Sequence, residues 1–492
     1  MSARRPPRIS RRAVLAGAAG IAAGGTRAEA HSARVDSLLL NDASRLNPTK
    51  VARHTVVDAD ADDAVIAALR RLLAEAGREG LPVVVGGARH SMGGQSLREN
   101  ASAVTTASRS CVPDKGRRVC RLASGARWHA VVPALDRVGL SIAVMQSNSD
   151  FSVGGTLSVN GHGWAVPYGA FASTVRAFRL MLADGTLLTC SASENRDLFA
   201  AAIGGYGLLG IIVDADVDVV DNIALRPLLA RMEAEALPNA FVAAVRGGSE
   251  LRLAYARLST DRASFLSEAL LVTFERTDGE PEPLRVGDRR FFGTVSRALL
   301  RAQTGSDAGK AARWWAESRL GPRLAPATVS RNRLLVQPVS SLGEPGGGRT
   351  DILHEYFLPP ALLGSFLAAC RTIIPEHGQD LLNVTLRYVA ADPVSLLTFA
   401  PEPRIAAVML FSQSRTTSAE RLMRLMTEVL IDEALARGGS FYLPYRLHAR
   451  PEQVVRAYPG LQRLLDLKRR HDPKARFRNQ MLDCYVADGQ LR

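Results

Sequence analysis

The residues able to do chemistry gather in a few glycine-rich stretches. The first, Val83 to Gln95, reads Val-Val-Val-Gly-Gly-Ala-Arg-His-Ser-Met-Gly-Gly-Gln. A buried strand that ends in small residues lets successive backbone N–H groups converge, and such a nest binds phosphate without a helix dipole. His90 in this loop would sit beside whatever the loop holds, either as a structural residue or as a reactive one. The second stretch, Ser147 to Trp164, carries Gly154, Gly155, Gly161 and Gly163, where a backbone can approach a flat or charged ligand closely. The third runs from Glu194 to Phe199 and on from Gly204 to Val213. Gly205, Gly207 and Gly210 have the spacing of a dinucleotide fingerprint, but a true fingerprint follows a strand and opens a helix. Here the glycines precede the β run Ile211 to Val220, which excludes a Rossmann site.

Polar groups with catalytic capacity fall later. Asn383, Thr385 and Arg387 alternate with Val384, Leu386 and Tyr388. In a strand, alternate residues share a face, so a polar stripe lies opposite an apolar one and either lines a pocket or faces water. Phe441 to His448 offers Tyr445 and His448 as acid/base groups, unless the segment is a packed aromatic cluster.

The elements that must hold these residues follow from periodicity and turn signals. Asp58 to Asp63 is a helix-start cluster, and Ala64 to Ala76 has helical periodicity. Strands are predicted at 81–85, 119–123, 138–144 and 211–220, and a helix at 128–137. Runs 177–182 and 187–190 flank Asp184-Gly185, a hairpin signal. From about residue 225 the texture changes. Segments 249–275, 350–358, 381–390 and 405–412 look like strands, and 260–269, 307–320, 360–371 and 416–436 look helical. A sheet covered on one face by helices fits this pattern. The Gly, Pro and Ser content of 340–349 predicts a surface loop. The fold class is α+β, with one unit over 45–221, a second over 222–440 and a closing segment over 441–492.

At 492 residues the chain exceeds one ordinary core. Its formal charge is +14, of which the first thirty residues contribute +5 through Arg4, Arg5, Arg8, Arg11, Arg12 and Arg27 against Glu29, leaving +9. No Lys/Arg stripe with interleaved aromatics points to nucleic acid, so the excess reads as a solvated basic surface. Arg11-Arg12, a short apolar run and Ala28-Glu29-Ala30 resemble a twin-arginine export signal, removed to give an exported protein that begins near His31. A plain secretory signal would share most of these features. The apolar run is too short to cross a bilayer, and no later stretch is long and uncharged enough to do so. The five cysteines make no metal pattern. Cys111 and Cys120 flank a turn signal, and either face each other across a hairpin or are two free small hydrophobes.

In order and spacing, the three glycine-rich stretches resemble the vanillyl-alcohol-oxidase-type FAD-binding family, also called the p-cresol-methylhydroxylase-type fold, over roughly 45–221. The resemblance implies a two-part FAD-binding domain and a substrate, or cap, domain with an antiparallel sheet. It places Gly86, Gly87, Ala88, Arg89, His90, Ser91, Gly94 and Gln95 in the pyrophosphate loop. Gly87 to Gln95 matches the Gly-x-x-His-Ser-x-x-Gly-Gln of members whose histidine is bonded to the flavin 8α-methyl, implying covalent FAD on His90. Ser147, Asp150, Gly154, Gly155, Ser158, Gly161, His162 and Gly163 fall in the second flavin-contacting stretch, and Ile212 and Val213 where a family strand meets the adenine or ribitol end. Doubly tethered members have a cysteine in the second stretch, which this chain lacks, so one tether is implied.

The second half is similar to the sugar-type branch of aldonolactone and alditol oxidases, without their Glu-x-Arg and Trp-Gly-Lys signatures. The implied activity is oxidation of a CH–OH group in a sugar, polyol or lactone-like small molecule by hydride transfer to flavin N5. Arg387 would stabilise charge, with Asn383 and Thr385 beside it, and Tyr445 or His448 would take the proton. Oxygen or another carrier would reoxidise the flavin. The rivals are an oxidase acting on a lipid-linked sugar at a membrane surface and a non-catalytic flavin carrier.

Overall fold

The computed structural model describes residues 31–34, 38–59, 61–285, 298, 300–336, 348–487 and 490–491. The export-signal segment and most of the 340–349 segment lie outside the described residues.

Helix Asp62–Arg78 forms because Val65, Ile66, Leu69, Leu72, Leu73 and Ala76 repeat every three to four residues and bury one face. Asp62 and Asp63 in its first turn and Arg78 in its last complement the helix dipole. The helix carries the chain from strand Arg53–Asp58 to Val83–Val85, and both strands run parallel to Ser102–Thr106. Strand His31–Arg34 completes this four-stranded sheet antiparallel to Arg53–Asp58. Residues 476–478 return to its edge, with Val83 N–H donating to Arg476 O at 2.7 Å and Arg478 N–H to Val83 O at 3.1 Å. The apolar triplet Val83–Val85 is therefore hemmed in on both sides, and the loop after it starts from a fixed point.

A second, antiparallel sheet is built on the long strand Ile211–Asp221, flanked by Val175–Met181 and Val119–Ala123 and extended by Leu187–Ser191 and Cys111–Asp114. Leu140–Ile142 also pairs with the long strand. The third sheet has eight antiparallel strands in the order Val329–Ser330, Ala224–Glu233, Glu268–Arg276, Leu251–Leu258, Asp380–Val389, Arg404–Ser414, Arg349–Leu358 and Ser440–Phe441. Helices Leu363–Glu376 and Thr417–Ala436 pack on it through Phe366, Leu367, Met423, Met426 and Leu430. One buried cluster joins the second and third sheets, from Trp128 and Phe178 to Phe357 and Phe411.

Sequence and structure differ in places. The segment 260–269 is not helical. Asp261 caps only a single 3-10 turn, Arg262–Ser264, Leu266 adopts φ +54°, and strand Glu268–Arg276 follows. The strand expected over 138–144 is reduced to Leu140–Ile142. Cys111 lies opposite Leu122 and Cys120 opposite Pro113, so the two thiols meet diagonally with sulfurs 3.6 Å apart, and both are free. No helix among the described residues is long and apolar enough to cross a membrane.

Candidate active site

A cavity of about 400 Å³ separates the glycine-rich loops from the eight-stranded sheet. Four adjacent strands line one wall with alternate residues: Tyr255 and Arg257; Asn383, Thr385 and Arg387; Val408 and Leu410; Leu353 and Glu355. The residues between them turn away, as His354 and Tyr356 do, to reach Thr427 and Phe366 on the covering helices. The polar stripe of Asn383, Thr385 and Arg387 thus faces the cavity, and the pleat explains why.

The opposite wall is the loop after Val83–Val85 and helix Val153–Ser158. Gly87, Ala88, Arg89, His90, Ser91, Gln95, Ser147, Gly154, Gly155, Ser158, His162 and Ile212 all line the cavity. Loop and helix touch closely, since a Cβ on Gly87 would lie 2.1 Å from Ser152 Oγ. That same Oγ caps the helix by accepting from Gly155 N–H at 3.2 Å. Arg89 takes a left-handed backbone, φ +52°, and its guanidinium donates to Thr105 Oγ1 at 3.0 Å and His54 Nε2 at 3.3 Å. The His90 ring meets Phe151 edge-on at 4.7 Å. Burial, and then the charge of Arg127, pushes the His90 pKa down to about 4, so its imidazole is neutral at physiological pH.

The two walls are joined by a buried carboxylate. Glu355, 2% exposed, accepts from His162 Nε2 at 2.5 Å and from the Tyr445 hydroxyl at 3.0 Å. Burial alone would raise the Glu355 pKa, but His162, Arg387 and the Tyr445 hydrogen bond together hold it below the ordinary carboxylate value. The Tyr445 phenol is pushed well above its ordinary pKa by burial and by the Glu355 charge, and stays protonated. Arg387 reaches back across the cavity, donating to Ser147 Oγ at 2.9 Å and His162 O at 3.5 Å.

Seven sequence candidates do not line the cavity. Gly86 closes the strand by donating to Val104 O at 2.8 Å. Gly94, at φ +71°, packs against Gln480 and donates to Asp42 Oδ2 at 2.9 Å. Asp150 turns toward His129, 3.7 Å away. Gly161 packs on the Gln146 side chain and Gly163 on backbone, a Cβ on Gly163 lying 2.0 Å from Met145 O. Val213 points from its strand into the core beside Leu69 and Phe477, on the face opposite Ile212. His448 is buried behind the sheet, 3.0 Å from Thr427 Oγ1 and 2.8 Å from Glu420 Oε1, and is withdrawn as a proton acceptor.

Residues 64–191 match the family model described as an FAD binding domain. The chain carries an FAD-binding domain of the p-cresol-methylhydroxylase type. Over 112 residues it is 35% identical to L-gulonolactone oxidase from Mus musculus, covering 23% of this chain and 26% of that protein. Over 97 residues it is 40% identical to D-arabinono-1,4-lactone oxidase from Yarrowia lipolytica, covering 20% and 18%. The chain thus spans about a quarter and a fifth of these two relatives. The solved structure of 6-hydroxy-D-nicotine oxidase from Arthrobacter nicotinovorans superposes with a TM-score of 0.62 at 14% identity, over 92% of this chain and 97% of that one, a likeness of fold.

The residues at the cavity fit FAD. Lacking Cβ atoms, Gly87, Gly154 and Gly155 pack closely on Ser152 and Ser124 while they line the cavity with backbone. Arg89 Nε, His162 Nδ1, Trp164 Nε1 and Arg387 Nε are buried on cavity-lining residues with no hydrogen-bond partner among the described residues, which is costly unless a ligand engages them. Sequence reasoning missed Tyr206 within the FAD-binding domain, and Glu355, Arg257, Arg313, Glu317 and Tyr442 beyond it, as lining residues. A charged residue in phase with the inward face of its strand, Arg257 with Leu253 and Tyr255 and Glu355 with Leu353, was the available signal.

Proposed function

We propose that the protein is an FAD-dependent oxidoreductase that oxidises a CH–OH group of a sugar, polyol or lactone-like substrate, with oxygen or another carrier as final acceptor. The observation that carries this reading is the Glu355–Tyr445–Arg387 group facing the glycine cradle across one cavity. Bound FAD supplies the hydride acceptor.

The chain's own residues handle the proton and the charge. The substrate hydroxyl donates to the Tyr445 oxygen while the Tyr445 proton moves to Glu355, so that no tyrosinate forms against its raised pKa. His162 stays bonded to the other Glu355 oxygen and fixes the carboxylate. Arg387 stabilises negative charge on the substrate oxygen as hydride leaves the carbon. His90 is assigned as the covalent anchor of the flavin, since a nucleophilic imidazole must be neutral and this one is. The arginine pair Arg11-Arg12 supports export of the protein, tested by the mass of the mature N-terminus.

The test is anaerobic mixing of the flavin-loaded protein with lactones, polyols and sugar acids. Bleaching of the flavin band by one of them is expected. A flavin that dithionite reduces but none of these donors does would identify a non-catalytic carrier.

A further inference from the structure

The cavity holds a second charged group that the proposed chemistry does not use. Arg257 Nη2 and Arg313 Nε both donate to one oxygen of Glu317, Oε1, at 3.2 and 2.8 Å. Arg257 Nη1 also donates to Thr385 Oγ1 at 2.8 Å, and Arg313 Nη2 to Asn383 Oδ1 at 3.3 Å. All five residues line the cavity. Two cations share one anion, so the group keeps one surplus positive charge. Glu317 is the only carboxylate acting on either arginine among the described residues. Each guanidinium has five N–H donors, and Arg257 has only Thr385 and Glu317 as hydrogen-bond partners there.

Local structure also departs from the ordinary here. Glu317 sits in a π turn, Ala316–Leu320, that interrupts the helix begun at Asp307–Trp315. Such turns are rare and concentrate at functional sites. An unneutralised charge withdrawn from bulk water is costly, and a guanidinium fork matches a carboxylate in bidentate geometry.

We infer that Arg257 and Arg313 form a subsite for a carboxylate of the substrate, so that the compound taken up is a sugar acid rather than a neutral polyol or lactone. One surplus charge suits a monoanion better than a phosphate dianion. The strand register supplies a ruler. Arg257, Thr385, Val408 and Glu355 lie in one cross-strand row. With strands ~4.8 Å apart, Thr385, which holds the Arg257 guanidinium, stands roughly 10 Å from Glu355 along that row. Arg387 is two residues from Thr385, or roughly 7 Å. A carboxylate several carbons from the oxidised carbinol meets these spacings. Oxidation of the acid rests on the reading above, whereas its binding does not.

The experiment measures binding of matched pairs, gluconate with gluconamide and glucuronate with glucuronamide, to the flavin-loaded protein by calorimetry. It then measures flavin reduction by the same compounds. At least one acid is expected to bind roughly ten- to a hundredfold tighter than its amide, the range for a charged hydrogen bond. That preference should fall to near unity in Arg257→Met and survive in Arg313→Lys. Glu317→Gln, which adds one positive charge, should shift preference toward glucose 6-phosphate and gives a gain of binding that misfolding would not. Acids no tighter than amides in the wild type, or a preference unchanged in Arg257→Met, would overturn the subsite. Amides that reduce the flavin as fast as acids would overturn it and leave the oxidoreductase reading standing. An acid that binds with preference but leaves the flavin oxidised would overturn only the oxidoreductase reading.

Discussion

Tyr445 donates its hydroxyl to Glu355 Oε2 at 3.0 Å, and this bond links the C-terminal segment to the eight-stranded sheet directly above the cavity. Its removal is expected to spare flavin binding and slow the chemistry. Tyr445→Phe should lower the rate of anaerobic flavin reduction by roughly a hundredfold, within the range for general acid–base groups, at unchanged flavin content. A variant that reduces at the wild-type rate would take Tyr445 out of the proton path.

Arg387→Met is expected to leave the fold and the flavin content intact and to slow flavin reduction. Losing a donor that stabilises developing oxyanion charge costs about 3 kcal/mol, roughly a hundredfold. Among the described residues Arg387 bonds only Ser147 Oγ and His162 O, so the loss should appear in kcat rather than in stability. Stopped-flow reduction with the best substrate, beside a thermal melt, separates the two effects.

Backbone crowding predicts two different outcomes for glycine substitutions. Gly163→Ala would set a methyl 2.0 Å from the Met145 carbonyl, which is main chain and cannot swing away. A loss of at least 1–3 kcal/mol is expected in denaturant unfolding, on the order of an overpacked core. Gly87→Ala meets instead the Ser152 hydroxyl, which can rotate, but only by abandoning the helix cap it makes with Gly155 N–H. That costs about 1 kcal/mol, and the main consequence is expected to be weaker FAD uptake, measured as flavin bound per chain.

Acid should weaken the fold through its histidines. Burial, followed by the charge of Arg89, holds His54 at about 4, and burial, followed by His448, holds His354 at about 3, both from an ordinary 6.5. Between pH 6.5 and about 4 the unfolded chain binds protons that the folded chain does not, so stability falls as pH falls through that window and is fully present above it. Melting temperature is expected to drop steadily from pH 7 to pH 4.5, and His354→Gln should flatten the slope. A wild-type melt independent of pH over that range would contradict this.

Much of this site was legible in the sequence because glycines, histidine and strand alternation carry local information. Val83 to Gln95 announces a strand and a ligand loop, and the Asn383, Thr385, Arg387 alternation announces its face, since the pleat alone decides it. Glu355 was not legible, because its partners His162 and Tyr445 come from distant parts of the chain and meet only after folding. His448 misled for the same reason. It follows Tyr445 closely in sequence, but the chain turns at Arg446, whose guanidinium is held by Glu420 and Asn47, and His448 lands behind the sheet. Gly161 and Gly163 were read as ligand contacts because glycine is needed equally where the protein packs closely on itself, here on the Gln146 side chain and the Met145 backbone. The 260–269 segment was composed for a helix, but strand pairing at Glu268–Arg276 prevailed over local propensity.

The central claim is that this chain binds FAD at the glycine cradle and anchors it on His90. The most direct measurement is the absorption spectrum of the purified protein, followed by acid precipitation and mass mapping of the flavin-bearing peptide. A flavin spectrum, a yellow pellet and the modification on the peptide containing His90 are expected, with His90→Ala releasing the flavin into the supernatant. A colourless protein that takes up no added FAD would contradict the claim, and free FAD from the wild type would contradict the anchor.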